Sequence, residues 1–317
     1  MSGGWLAQRE RGSRSAMRAL VWVTLSLGRR AGRAFLYPIC AYFVLFSRGA
    51  RHASTDYLRR VLGRPPRLAE IVRHYHAYAS TIHDRVYLRA GRYASFDVRV
   101  DAPPALLADL RKGGGCILLG SHLGSFEILR AAGLAEGAPP VSMLMHVEGG
   151  EKINRVLDAV DAAAAPRVIP LGRPGSLLRA QECLERGEIV GMLADRGLRE
   201  DRDCSCQFLG APARFPLGPL LLAGLLQAPV ILAFGLYRGG RRYEVRLEPF
   251  AERIELDRRD RESSLKPWVE RYAARLEHHC RDAPYNWFNF YDFWAPGPRR
   301  TSAPPRAESS RVHAKRH

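Results

Sequence analysis

Three observations predict an α/β fold with a largely parallel central sheet and helices on both faces. Short apolar runs bounded by turn residues recur at 116–119, 141–145, 168–171, 189–193 and 230–235. Stretches with helical apolar spacing lie between most of them. Several runs stop at a glycine or a polar turn that feeds a helix, as in GGGCILLGSHLGSFEILRAAG from Gly113 to Gly133. Short continuous apolar runs suit strands buried on both faces, and alternation with helices implies parallel pairing. At 317 residues the chain can bury one elaborated core.

The elements follow in order. Residues 1–15 are polar and rich in Gly and Arg, and read as a disordered basic tail. Ala19–Leu27 and Ala34–Phe46 are apolar, separated by GRRAGR at 28–33. Neither reaches the ~20 residues of a standard span. Residues 16–50 are therefore expected to form a membrane-associated helix lying in the inner leaflet, its arginines reaching lipid phosphates; a tilted span is the alternative. From Ser54 to Tyr93 the pattern is helical, broken at LGRPP, with Ile71, Tyr75, Tyr78, Ile82 and Val86 at helical spacing. A strand is predicted over 96–100 and a short helix over 103–111, followed by the 113–133 unit. Helices are predicted over 151–165 and from an N-capping Ser176 to Arg186. Residues 198–214 read as a polar loop, 217–227 as an apolar helix, and 230–248 as a hairpin turned at Gly239-Gly240. An amphipathic helix is predicted over 263–281, then the aromatic cluster PYNWFNFYDFW, then a Pro- and Arg-rich tail over 296–317 that reads as disordered.

Charge placement narrows the function. Seven Arg against Glu10 in residues 1–33, and six Lys or Arg against Glu308 in 297–317, carry +11 of the net +17. The middle of the chain is only mildly basic. That distribution argues against a nucleic-acid groove and fits an anionic membrane surface. The six cysteines have no framework spacing, and Cys204-x-Cys206 alone is a poor zinc signal. No metal site and no cofactor are expected, and the cysteines read as reduced and cytosol-facing.

His122 sits on the turn after the first buried run, with Glu127 five residues later on the helix. Within one regular helix that separation is about 140° around the axis. With His122 before the helix start, its ring can instead fold back to the carboxylate, which would fix one ring nitrogen and leave the other as a general base. A turn histidine satisfied by backbone, with Glu127 favoured by the helix dipole, is an equally open reading of the residues. Asp195-Arg196 follows another strand end, and in an open parallel sheet such ends share one edge.

The 113–133 stretch resembles the H-x4-D/E motif of the glycerol-phosphate and lysophospholipid acyltransferase superfamily. It is most similar to the bacterial lipid A biosynthesis acyltransferases, the lauroyl and myristoyl transferases. Phe215-Pro216-Leu217-Gly218 resembles the superfamily's F-P-x-G block, with Leu217 where a Glu is common in the glycerol-phosphate branch. The aromatic segment over 284–294 is similar to one near the C-terminus of the lipid A enzymes, although Asp292 stands where basic residues are common. The resemblance implies a glycerol-phosphate acyltransferase-like domain over 51–295. It implies His122 as general base with Glu127 as its partner. Asp195, Arg196, Lys152, Asn154, Arg173, Phe215 and Gly218 are expected to bind substrate, and amides near Gly124 or Arg196 to stabilise an oxyanion.

The expected activity is transfer of a fatty acyl chain from an acyl carrier protein or coenzyme A thioester to a hydroxyl of a lipid or glycolipid. The expected location is the cytoplasmic face of the inner membrane, with membrane lipids and acyl carrier protein as partners. Two alternatives remain: a non-catalytic lipid- or carrier-binding protein, and a lipid hydrolase. The second lacks a G-x-S-x-G elbow at Ser121.

Overall fold

A computed structural model describes residues 14–145, 167–197 and 202–295. Its centre is a seven-stranded sheet of β1 (Asp97–Asp101), β2 (Cys116–Gly120), β3 (Val141–Met145), β4 (Arg167–Pro170), β5 (Ile189–Leu193), β8 (Val230–Gly239) and β9 (Arg242–Ala251). The order is β1-β9-β8-β2-β5-β3-β4, and every pairing is parallel except β8 with β9. The helices are α1 (Arg14–Phe46), α2 (Arg48–Leu62), α3 (Leu68–Arg89), α4 (Pro104–Lys112), α5 (Phe126–Ala135), α6 (Ser176–Glu185), α7 (Gly218–Leu226) and α8 (Arg261–Asp282).

All five residues of β2 are buried, because alternate side chains enter different cores. Ile117 and Leu119 join Val190, Met192, Leu232 and Phe234 under α6, α7 and α8. Cys116 and Leu118 join Ile189, Ile231 and Ala233 under Leu106, Leu110 and Leu129 of α4 and α5. The predicted two-faced sheet is thereby present.

Several local expectations are corrected. Residues 198–214 were expected as a loop, but β6 (Asp203–Phe208) and β7 (Ala211–Pro216) form an antiparallel hairpin. Cys206, Phe208, Ala213 and Phe215 face the core, and the turn uses positive φ at Leu209 and Gly210. With Cys and Ala at inward positions, the alternation is too weak to stand out in the sequence. Ser176 is the first residue of α6, not its cap. Gly175 holds the cap position, and the Ser176 hydroxyl donates to the carbonyls of Pro170 (2.5 Å) and Arg173 (2.7 Å).

α1 departs furthest from expectation. Gly28 breaks it with φ 85°. Leu36, Cys40 and Val44 form a buried stripe at four-residue spacing, and α1 lies along α3. Arg29 does not reach outward for phosphate: it holds the buried Asp84 carboxylate through two hydrogen bonds of 2.8 Å. Tyr243 donates to the same carboxylate (2.8 Å), and Arg33 donates to the Tyr237 hydroxyl (2.8 Å). Desolvation of Asp84 favours its neutral form, but the hydrogen bonds from His83 and Arg29 outweigh it and hold the carboxyl below the usual range. The opposite side of α1 exposes Phe35, Ile39, Tyr42, Leu45 and Phe46, whereas Tyr37 stacks on His76 of α3 at 4.8 Å. Among the described residues no helix is long and apolar enough to cross a membrane, so the tilted-span alternative has no support.

Candidate active site

β2 and β5 lie side by side in register, Gly120 opposite Leu193. Two residues beyond those partners stand His122 and Asp195, which the register therefore brings together. His122 Nδ1 lies 2.8 Å from Asp195 Oδ1. The His122 backbone N–H also donates to both carboxylate oxygens, at 3.1 and 3.0 Å. Trp287 Nε1 and Asn289 Nδ2 each donate to Asp195 Oδ2 at 3.0 Å. Asp195 is 1 % exposed. Burial alone would raise its pKa, yet the charge of His122, its hydrogen bonds and the charge of Arg196 outweigh that and hold it at about 2.

An ionised carboxylate only accepts, so Nδ1 carries the hydrogen and the lone pair resides on Nε2. Nε2 has no partner among the described residues, and the side chain is 29 % exposed. Although part of the ring meets solvent, enclosure by neighbouring atoms lowers its pKa, and the positive charges of Arg196 and Arg85 add to this. Asp195 opposes them. His122 is therefore neutral further into the acid range than an ordinary histidine.

The loop carrying His122 is fixed by a backbone clasp. Phe288 N–H donates to the His122 carbonyl (2.8 Å), Gly124 N–H to the Asn286 carbonyl (2.8 Å), and Ser125 N–H to the Gly235 carbonyl (2.8 Å). Gly124 has φ +80°, and a methyl group there would strike the Gly235 carbonyl; only glycine suits this crossing. The Asn286 side chain in turn pairs both backbone groups of Tyr237, and His74 Nε2 lies 2.8 Å from the Trp287 carbonyl. The aromatic segment is thus the floor of the site. A small crevice beside His122 is lined by Leu118, Gly120, Ser121, Leu123, Phe126, Leu129, Leu193 and Ala233.

Other predicted residues fall elsewhere. Glu127 does not meet His122. It is buried in the first turn of α5 and pairs with Arg89 and Arg130, each at 3.3 Å. The clasp at 122–125 holds the histidine toward β5, whereas the start of α5 turns Glu127 toward α3. Asp195 takes the place foreseen for Glu127, beside the His122 ring. Arg196 lies over the Tyr291 ring at 5.6 Å and donates to the Asn289 side chain and to the Phe288 carbonyl (2.8 Å). The Gly124 amide is spent on Asn286 and cannot serve an oxyanion. Phe215 is a core residue, its ring against Phe208, Tyr272 and Phe293. Leu217 is buried beside it, which suits an apolar residue where a Glu is common. Gly218 opens α7, with nothing within 4 Å of where a Cβ would project. Arg173 is exposed beyond the end of β4, three strand spacings from β2, or about 14 Å. Lys152 and Asn154 lie outside the described residues.

Sequence reasoning missed the roles of Trp287 and Asn289. Their polar groups stand two residues apart in an extended segment, a period-two signal hidden by the surrounding aromatics.

No curated protein matches the chain. The family described as bacterial lipid A biosynthesis acyltransferase matches residues 13–295. That range includes the β2 and β5 ends, the dyad and its aromatic floor, and it shows that the chain belongs to the bacterial lipid A biosynthesis acyltransferase family and is an acyltransferase.

Proposed function

We propose that the protein moves a fatty acyl chain from an acyl thioester to a hydroxyl of a lipid or glycolipid, with His122 as general base. The observation carrying this reading is the His122 ring, held at Nδ1 by a buried carboxylate with Nε2 unpartnered. The acceptor hydroxyl gives its proton to Nε2 as its oxygen attacks the thioester carbonyl. Asp195 keeps the tautomer and stabilises the imidazolium. Collapse of the tetrahedral intermediate expels the thiolate, which takes the proton back from His122. Arg196 supplies positive charge at the edge where the oxyanion forms. Glu127 contributes indirectly by holding Arg89 and Arg130. The apolar crevice lined by Leu118, Leu123, Phe126 and Leu129 suits the start of an acyl chain.

The donor is acyl carrier protein or coenzyme A, and no cofactor takes part. α1 docks on the cytoplasmic face of the inner membrane through Phe35, Tyr42 and Phe46, lying in the interface rather than crossing it. A serine hydrolase is less well supported, because the buried Ser121 hydroxyl makes no hydrogen bond to His122.

Acyl transfer from labelled acyl carrier protein and acyl-coenzyme A to a total lipid extract tests the reading. Wild type should yield an acylated lipid. His122→Ala should lose about 10²–10⁴-fold in rate with an unchanged circular dichroism spectrum. A wild-type enzyme inert with both donors, or an undiminished His122→Ala, would overturn it.

A further inference from the structure

One row of α3 runs along the catalytic edge. His74, Tyr78, Arg85 and Arg89 are spaced four, seven and four residues apart, so they share a face. Contacts locate both ends of the row. The His74 ring stacks on Phe290 at 4.7 Å, and Tyr78 lies against Phe288 and Phe290 at 5.2 and 5.3 Å. Arg89 pairs with Glu127. Phe288 donates its N–H to the His122 carbonyl and Glu127 sits in the first turn of the helix that follows His122, so Arg85, between Tyr78 and Arg89 in the row, lies along the segment that carries His122. It is near enough for its charge to act on His122.

The bonding of Arg85 differs from that of its neighbours. Arg29 holds Asp84, Arg89 and Arg130 hold Glu127, and Arg196 holds Asn289 and the Phe288 carbonyl. Arg85 is half-buried, its Nε is enclosed without a partner, and no acceptor among the described residues takes its other donors. A guanidinium is always charged and its fork matches two oxygens of a phosphate. A buried N–H left unpaired is costly and calls for a ligand that completes it.

We propose that Arg85 binds an anionic phosphate ester of a substrate seated at His122. The identity of that substrate rests on the acyl-transfer reading above. Two sources share the chemistry: the phosphate of a phosphopantetheine thioester donor, and a phosphate on a glycolipid acceptor. Binding would neutralise a charge that disfavours protonation of His122. The base then strengthens only with substrate in place.

The test compares wild type with Arg85→Ala, Arg85→Gln and Arg85→Lys in the full chain, each checked for folding by circular dichroism. One arm offers S-lauroyl-4′-phosphopantetheine against S-lauroyl-pantetheine. The other offers a phosphorylated glycolipid acceptor against its dephosphorylated form. Wild type should prefer the phosphorylated member of one pair by about tenfold or more in kcat/KM. That preference should vanish in Arg85→Ala and Arg85→Gln and return in part in Arg85→Lys. The pair that collapses identifies the source. A wild type indifferent to phosphate in both arms, or a preference that survives the neutral variants, would overturn the proposal.

Should the wild type transfer no acyl chain, the transferase reading fails by itself. Calorimetric titration with 4′-phosphopantetheine and with hexadecyl phosphate then decides on Arg85. Tighter binding of either probe to wild type than to Arg85→Gln supports the site. Equal affinity, or no binding to wild type, refutes it.

Discussion

At the scale of single residues, His122 is defined by which groups act on it. In the proposed reaction its neutral form is the base, so activity should be present above its pKa and fall as pH drops through it. Because that pKa is lowered from 6.5, the acid limb of the rate profile should lie below pH 6.5. Asp195 is a group that raises the His122 pKa. Asp195→Asn should therefore move the acid limb to still lower pH, and it should cut the plateau by about 10²-fold or more through loss of the productive tautomer. A pH–rate profile of both proteins checks the two effects separately. An acid limb that moved upward would contradict the assigned dyad. His122 and Asp195 were both legible in the sequence as residues at strand ends. Their pairing was not, because Glu127 is nearer in sequence, and only the β2–β5 register brings in a residue 73 positions away.

At the scale of elements, two predictions separate folding from docking. Gly124 crosses Gly235 with φ +80° in the clasp that holds His122. Gly124→Ala should cost about 1–3 kcal/mol or more, from backbone strain and the collision with the Gly235 carbonyl. A denaturant titration measures this, and the rate should fall with it because the histidine loop shifts. α1 behaves differently on its two sides. Its buried stripe at Leu36, Cys40 and Val44 supports the fold, whereas Phe35, Tyr42 and Phe46 are 51, 52 and 64 % exposed. Replacing those three with Ser should leave Tm nearly unchanged, since exposed positions contribute little to stability. Sedimentation with anionic vesicles should show weakened binding. Unchanged vesicle binding would remove α1 from the docking surface. The helix was legible in its apolar run. Its attachment was not, because Arg29 and Arg33 look like membrane-facing arginines until Asp84 and Tyr237 are placed beside them.

At the scale of the whole molecule, net charge governs encounter rates. The chain carries +17, and a carrier protein acidic as a class should be drawn to it. With acyl carrier protein as donor, kcat/KM should fall steeply as salt rises from about 50 to 200 mM. With a short neutral acyl-pantetheine the dependence should be shallow. Stopped assays at several salt concentrations compare the slopes, and equal slopes would argue against electrostatic docking of the carrier.

The sequence by itself determined the two-faced parallel sheet, the turn that displays His122 and the family. These depend on patterns within a few residues: apolar runs of strand length, a glycine turn feeding a helix, and a short motif. The tertiary structure decided which carboxylate serves the histidine, that the aromatic segment forms the floor beneath it, and that Glu127 and Arg29 balance charge inside the protein. Those outcomes depend on strand order and register, which join residues far apart in the chain. Local spacing constrains such contacts weakly, whereas the cost of burying an unpaired charge favours partners such as Arg89 for Glu127 and Asp84 for Arg29, wherever the fold supplies them.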